Sequence, residues 1–376
     1  MKSLSDVITP ACIINQEKLK KNARRFFDIG ERQQVALRPH VKTLKSVEAA
    51  SIYAPLPMPI TVSTLAEAKY FAEAGYTDIL YAVTLTPNKV PTVDALLQKG
   101  VKLTVVVDSL AAIKALSSSS QQIKHTMPVA IEIDSDGHRA GVKPDSPELV
   151  DIANEIAASQ YLHFEGLVTH AGASYGAFTT AQQCQIARAE CEAVTFAAER
   201  LQDQGIKCAM VSVGSTPTVF APICPVGITE LRAGVYATFD CVMAGLNLCT
   251  YDDIAMSVLT TVIGFHCDGK GLLVDAGWMA LSRDTGTHDH PHDCGYGLVC
   301  DSHGALMPGW VVESTNQEHG IIRHKEGIDP QRVFQFGDII RILPIHACST
   351  GAQYAHYYVT SDDHTIEATW QRVNGW

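Results

Sequence analysis

The residues best suited to covalent chemistry stand in the string Arg38-Pro39-His40-Val41-Lys42-Thr43-Leu44-Lys45. Lys42 follows an apolar run and is flanked by Arg38, His40 and Lys45, so cationic neighbours and partial burial both disfavour its protonated form. A neutral lysine is a nucleophile toward aldehydes and a base toward carbon acids. Two small, amide-rich turns could face it: Gly214-Ser215-Thr216-Pro217-Thr218 and Arg232-Ala233-Gly234-Val235-Tyr236. Gly214 and Gly234 admit close backbone approach, and Ser215 and Thr216 add N–H and O–H donors, the makings of a phosphate cradle. An amine facing such a cradle is what a pyridoxal 5′-phosphate Schiff base requires. The plainer readings, a solvated lysine and an ordinary strand-to-helix turn, stay open on these residues alone.

A second chemistry is carried by His346 and Cys348. In an extended strand residues i and i+2 face one side, which would present imidazole and thiolate together. That pair suits zinc, with manganese as second choice, and two protein ligands leave coordination positions for water and substrate. Two side chains merely packed on one strand face are the alternative. The denser string His288-Asp289-His290-Pro291-His292-Asp293-Cys294 is a rival metal site, but its Pro and Asp content reads as a solvated loop.

Eight apolar, β-rich runs must position these residues: 35–39, 59–63, 78–83, 102–108, 128–134, 163–170, 208–214 and 230–236. They read as strands buried on both faces, with helical stretches between them. In one such stretch Thr64 caps, Glu67 sits three residues on and Gly75 stops the helix; in another, residues 180–204 are rich in Ala, Gln and Glu. The tetraserine at 117–120 reads as a loop. Eight strands alternating with helices predict an α/β fold, a (β/α)8 TIM-type barrel over residues 10–245, with a doubly wound open sheet as the alternative. From 246 to 376 the pattern changes to β segments punctuated by Gly, Pro, Asp and Asn. This predicts a C-terminal, mostly antiparallel β domain, to which residues 1–9 are a candidate addition. On this scheme the chemical residues collect at the C-terminal ends of the barrel strands. The loop Asp134-Ser135-Asp136-Gly137-His138-Arg139 and the string His170-Ala171-Gly172 join the same rim.

The 376 residues are 46% hydrophobic and 18% charged, enough apolar matter for a large core. With 29 Lys+Arg against 40 Asp+Glu the net charge is -11, and no basic cluster exceeds a local pair, so nucleic acid is not an expected partner. No apolar run approaches the roughly 18 residues of a spanning helix, so no membrane partner is expected either. Eleven cysteines without regular spacing, and no apolar segment behind Lys2, point to reduced thiols and a cytoplasmic location.

The strings Arg38–Thr43, Glu132-Ile133-Asp134, Arg139-Ala140-Gly141-Val142 and Gly166–Gly172, with Glu318-His319-Gly320 and Pro344-Ile345-His346-Ala347-Cys348, together resemble the fold-type III pyridoxal-phosphate enzymes. More narrowly they are similar to the D-threonine aldolase and D-serine dehydratase branch, relatives of alanine racemase. The resemblance implies that Lys42 holds the cofactor covalently and exchanges the α-proton, with His40 and Arg139 as further catalytic candidates. It sets Arg139 near the cofactor's phenolic oxygen and His170 beside its ring. It sets Gly214, Ser215, Thr216, Gly234 and Tyr236 around the phosphate, and His346 and Cys348 on a divalent metal. Leu44 departs from the branch, which often has His there.

The implied reaction is a lyase cleavage of a small D-amino acid bearing a β-hydroxyl, by dehydration of a D-serine type or aldol cleavage of a D-threonine type. Cys348, Thr350, Tyr357 and Tyr358 tilt the reading toward dehydration. Racemisation is the alternative, then a non-catalytic cofactor carrier, then a barrel hydrolase using the 288–294 loop. A homodimer is expected by analogy with the fold type.

Overall fold

A computed structural model describes residues 2–376. Two compact units divide the chain. One is built from Phe26–Lys42 and Ala54–Gly234; the other from the residues through Arg25, Thr43–Tyr53 and Val235–Asn374. The division near the middle falls at Gly234/Val235, and two N-terminal segments belong with the C-terminal unit.

The first unit is an eight-stranded parallel sheet. Its strands are Ala36–Leu37, Ile60–Val62, Asp78–Thr84, Lys102–Val107, Met127–Ile133, Leu162–Thr169, Met210–Val213 and Glu230–Leu231. Neighbours in sequence pair in order, and the eighth returns to the first, with Glu230 opposite Ala36. The ring closes just past the first strand. His40 bridges Thr61, Val41 N–H donates to Thr61 O at 3.0 Å, and His40 N–H donates to Ala233 O at 2.7 Å. The sheet is thus a closed barrel, and the open-sheet alternative falls. Its seam is the backbone of the Arg38–Lys42 string, held from both sides, which fixes the direction in which Lys42 leaves the chain.

Helices Leu65–Glu73, Val90–Gln98, Leu110–Ser119, Glu148–Ala158 and Thr180–Asp203 follow their strands as the alternation requires. The Thr64 hydroxyl caps Glu67 N–H, and the Glu67 carboxylate accepts from Ser63 N–H at 3.2 Å. The tetraserine is not a loop: Leu110–Ser119 is helical and a 3₁₀ turn, Ser120–Gln122, follows. The hydroxyls of Ser118 and Ser119 donate back to the carbonyls of Lys114 and Ala115, so their polar groups are satisfied within the helix. The eighth run is also shorter than expected, because the chain turns into a 3₁₀ segment at Val235–Ala237.

The second unit is mostly antiparallel, with one parallel pairing between Ala11–Asn15 and His356–Thr360. Six strands, Met256–Phe265, Leu272–Val274, Gly297–Cys300, Leu306–Thr315, Gly320–His324 and Ile339–Pro344, pair into a closed ring. The ring closes where Leu272–Val274 meets both Met256–Phe265 and Gly320–His324. Its core holds Val258, Val274, Val299, Val312, Ile322 and Ile342, with Trp310 and Phe334 edge to face at 4.9 Å. The strand Ala11–Asn15 extends this sheet between Met256–Phe265 and His356–Thr360.

Candidate active site

In the barrel unit the site is built on a polar interior. Arg38 is buried and does not reach the rim: its Nε lies 2.9 Å from both Glu230 oxygens and its Nη1 2.7 Å from Asp78. The cation assigned above as a neighbour of Lys42 is therefore neutralised inside the barrel. Arg232 is the cation nearer the strand ends. It is buried, donates from Nη2 to Thr169 O at 2.6 Å, and bonds Ser212 Oγ through Nη1.

Lys42 is half-buried, and a Cβ built on Gly234 would stand 3.8 Å from its Cε and 3.3 Å from His40 Cβ. Gly234 is thus glycine because any side chain would press on the seam. Gly214 has φ +138°, and a Cβ there would lie 2.1 Å from Arg232 O, so only glycine fits that turn. Ser215 caps the short helix Thr216–Phe220, accepting from Thr218 N–H, and bonds Ser174 Oγ at 2.8 Å. Thr216 is different: its Oγ1 is buried without a partner. An orphaned hydroxyl beside a glycine turn fits an anionic ligand at this place.

Both imidazoles of the rim are held neutral. His170 has its titration pushed down to about 4, by burial first and by the charges of Lys42, Arg139 and Arg232; its bond to a carbonyl opposes this. That bond, Nδ1–H to Gly214 O at 3.0 Å, leaves Nε2 free as an acceptor. His40 is pushed well below the usual imidazole range by burial, Lys42, Arg232 and His170; its Nδ1 has no partner and its Nε2 lies 3.3 Å from Ser63 Oγ. Arg139 is the exposed member, 3.4 Å from Glu132, whose carboxyl is pushed up by burial against the pull of Arg139.

Glu190 was not singled out from the sequence, yet it ties two of these loops. It is buried on the helix Thr180–Asp203, and its Oε1 accepts from Ala171 N–H at 2.9 Å and Gly214 N–H at 3.1 Å. The clue is its register: Ala187, Cys191 and Val194 are buried on the same helix face.

The second unit holds the other candidate residues. The strand ends at Pro344; His346 caps a short helix, Ala347–Gly351, so His346 and Cys348 do not alternate along a strand as expected. The turn still keeps them neighbours, close enough for Cys348 to act on the charge of His346. His346 Nδ1 donates to Asp284 Oδ2 at 2.7 Å, which orients the ring. Burial works against the charged imidazole, but Cys348, Asp284 and Asp240 outweigh it and lift His346 to about 11. Asp240 is fully buried, caps Met243 N–H at 3.0 Å, and accepts from Ala347 N–H at 3.0 Å, so it holds the turn from beneath. Thr43, the residue after Lys42, places its Oγ1 3.2 Å from Cys348 Sγ.

Among the described residues no group of three or more His, Cys, Asp or Glu side chains converges as a metal cage, the 288–294 string included. Thr350 Oγ1 donates to Leu281 O and Tyr357 OH to Leu44 O, both in the interior. Tyr236 is likewise buried, its hydroxyl donating to Tyr53 O at 2.9 Å.

Residues 14–241 match the alanine racemase N-terminal domain and residues 255–360 the putative serine dehydratase domain. The D-threo-3-hydroxyaspartate dehydratase of Delftia sp. is 44% identical over 98% of each chain, and its solved structure superposes with a TM-score of 0.96, each chain covered completely. A cysteine-to-alanine variant of that enzyme has been solved in a metal-free form. The D-serine dehydratase of Dictyostelium discoideum is 28% identical over 99% of this chain and 98% of its own. The D-threonine aldolase structure from Filomicrobium marinum is 25% identical, covers 98% of this chain and 96% of its own, and has a TM-score of 0.85. The chain belongs to the fold-type III pyridoxal-phosphate enzymes, in the branch that holds the D-serine dehydratases and D-threonine aldolases.

Proposed function

We propose that this chain is a lyase acting on D-amino acids with a β-hydroxyl, and that it dehydrates a D-3-hydroxyaspartate-type substrate to oxaloacetate and ammonia. The observation that carries the reading is the bond from Thr43, next in sequence to Lys42, to the Cys348 thiol. Thr43 and Cys348 belong to one unit, and the contact holds the thiol against the Thr43–Tyr53 segment. When bound, pyridoxal 5′-phosphate supplies an electron sink for the bonds at Cα, and a divalent metal supplies Lewis acidity toward the β-hydroxyl.

This chain's residues supply the rest. Lys42 Nζ would hold the cofactor and, as the free amine once a substrate is bound, would take the Cα proton. The Gly214–Thr216 turn and Gly234 receive the phosphate, and the orphaned Thr216 hydroxyl supports that placement. His170, neutral and bonded through Nδ1, offers an uncharged ring face beside the cofactor. Arg232 and Arg139 keep the pocket positive for anionic groups. His346 Nε2 and Cys348 Sγ would hold the metal, zinc on donor type, with Asp284 orienting the imidazole.

Identity at 44% over the full length to a D-threo-3-hydroxyaspartate dehydratase supports that substrate over D-serine and D-threonine. The test is one incubation series with D-threo-3-hydroxyaspartate, D-serine, D-threonine and D-alanine. Oxaloacetate with ammonia, lost on exhaustive chelation and restored by zinc or manganese, is the expected result. Glycine with an aldehyde as the main products would make the chain an aldolase, and L-alanine undiminished by chelation would make it a racemase. The fold type supports a homodimer, checked by light scattering on the eluting peak. The irregular spacing of the eleven cysteines along the sequence supports a cytoplasmic location.

A further inference from the structure

The barrel unit buries one carboxyl group that the lyase reading leaves without a task. Glu190, on the helix Thr180–Asp203, is 1% exposed. Its Oε1 is shared between the Ala171 and Gly214 N–H groups, and its Oε2 has no partner. These two N–H groups lie just past the strands Leu162–Thr169 and Met210–Val213, where the ladder no longer supplies acceptors. Both residues are held a second time at their carbonyls. Gly214 O accepts from His170 Nδ1–H. Ala171 O accepts from the Ser174 hydroxyl at 2.7 Å, and Ser174 Oγ lies 2.8 Å from Ser215 Oγ. One carboxyl oxygen is thus the origin of two bonded paths, one to the His170 ring and one to Ser215, the neighbour of the unpartnered Thr216 hydroxyl. Gly214 brings no polar side chain of its own to this turn, and a Cβ there would meet Arg232 O at 2.1 Å, so the acceptor has to come from elsewhere in the fold.

We propose that Glu190 is the positioning residue of the phosphate cradle: it locks the Gly214–Thr216 turn to the His170–Gly172 string and so sets how tightly the cofactor's phosphate is gripped. The inference rests on the cofactor reading given above. Glu190 acts through two backbone N–H groups and not by contact with the cofactor, and the loss of either bond frees one loop from the other.

The acidity of the group is no obstacle to this task. A carboxylate near a phosphate would repel it, but burial pushes the Glu190 carboxyl up toward its neutral form, against the pull of the two N–H groups and of Arg232. The neutral form still offers its carbonyl oxygen to both donors. The task therefore needs an acceptor at this place and not a charge. Glutamine carries the same acceptor on the same stem. Leucine fills similar space without it and leaves two buried donors unpaired.

The test takes the full-length protein, strips it of cofactor with hydroxylamine, and titrates it with pyridoxal 5′-phosphate and with pyridoxal, which lacks the phosphate, while visible absorbance is followed. In Glu190→Leu the wild-type preference for the phosphorylated ligand should shrink about tenfold or more, and in Glu190→Gln it should stay within about threefold. Glu190→Asp, whose carboxyl is one methylene short of the two donors, should also lose preference and carries the comparison where the leucine variant does not fold. A side chain that only stabilised the fold would weaken both ligands alike, so an unchanged ratio in Glu190→Leu or Glu190→Asp would overturn the proposal. A loss in Glu190→Gln as large as that in Glu190→Leu would overturn it as well. Wild-type protein that binds neither ligand, or binds both equally, would overturn the cofactor reading itself, which keeps the two failures apart.

Discussion

The barrel unit and the antiparallel unit treat histidine in opposite ways. His170 and His40, at the strand ends of the barrel, are pushed down by burial and by Lys42 and Arg232, and remain neutral. His346, in the turn of the other unit, is lifted to about 11 by Cys348, Asp284 and Asp240 acting against burial. Residue type is the same; the sign of the surrounding charge is not. A cationic pocket lined with neutral rings is made for an anion, and an acidic turn around one imidazole and one thiol is made for a cation. On the proposed reading the two units divide the chemistry between a phosphorylated cofactor and a metal, and each half can be broken separately.

The largest separable effect is expected at Cys348. Cys348→Ala removes one of the two proposed protein ligands, so zinc content measured by atomic emission should fall to background and lyase turnover by ~10³-fold or more, while the bound cofactor's visible absorbance persists. Loss of that absorbance as well would show that the halves are not separable.

A smaller effect follows from Asp284→Asn. The ligands remain but the imidazole loses its anionic anchor, and metal affinity should weaken about 10–100-fold in a competition titration with a chromophoric chelator. Unchanged affinity would mean that Asp284 does not orient His346.

The smallest effect concerns pH and the barrel. His170 titrates near 4 when folded and near its ordinary 6.5 when unfolded, so below 6.5 the unfolded chain binds the proton first. Stability from this residue is therefore present above about 6.5 and is lost as pH falls toward 4. In His170→Asn the drop in Tm across that window should be shallower than in the wild type; an identical slope would remove the desolvation account.

Much of the scaffold was legible. The eight runs are eight barrel strands, because strands covered on both faces must be apolar without interruption and nothing else in the chain reads that way. The special place of Lys42 was legible from its position at a run's end. The structure adds the reason, a seam whose backbone is bonded on both sides. What escaped was non-local. Arg38 reads as a rim cation until Asp78 and Glu230 are brought to it from 40 and 192 residues away. Glu190 reads as one solvated glutamate in a polar helix until two loops close over it. Misplacing His346 and Cys348 on a strand had a local cause: Ala347-Cys348-Ser349-Thr350-Gly351 are small residues that pass from strand to a single helical turn without an apolar break.

The account rests on the amine of Lys42 being the cofactor's point of attachment, and borohydride reduction of the purified holoenzyme followed by peptide mapping addresses that most directly. The prediction is a pyridoxyl group on Lys42 alone, absent from Lys42→Ala along with the visible absorbance. A pyridoxyl group on Lys45 or any other lysine, or a Lys42→Ala protein that keeps the wild-type spectrum, would contradict it.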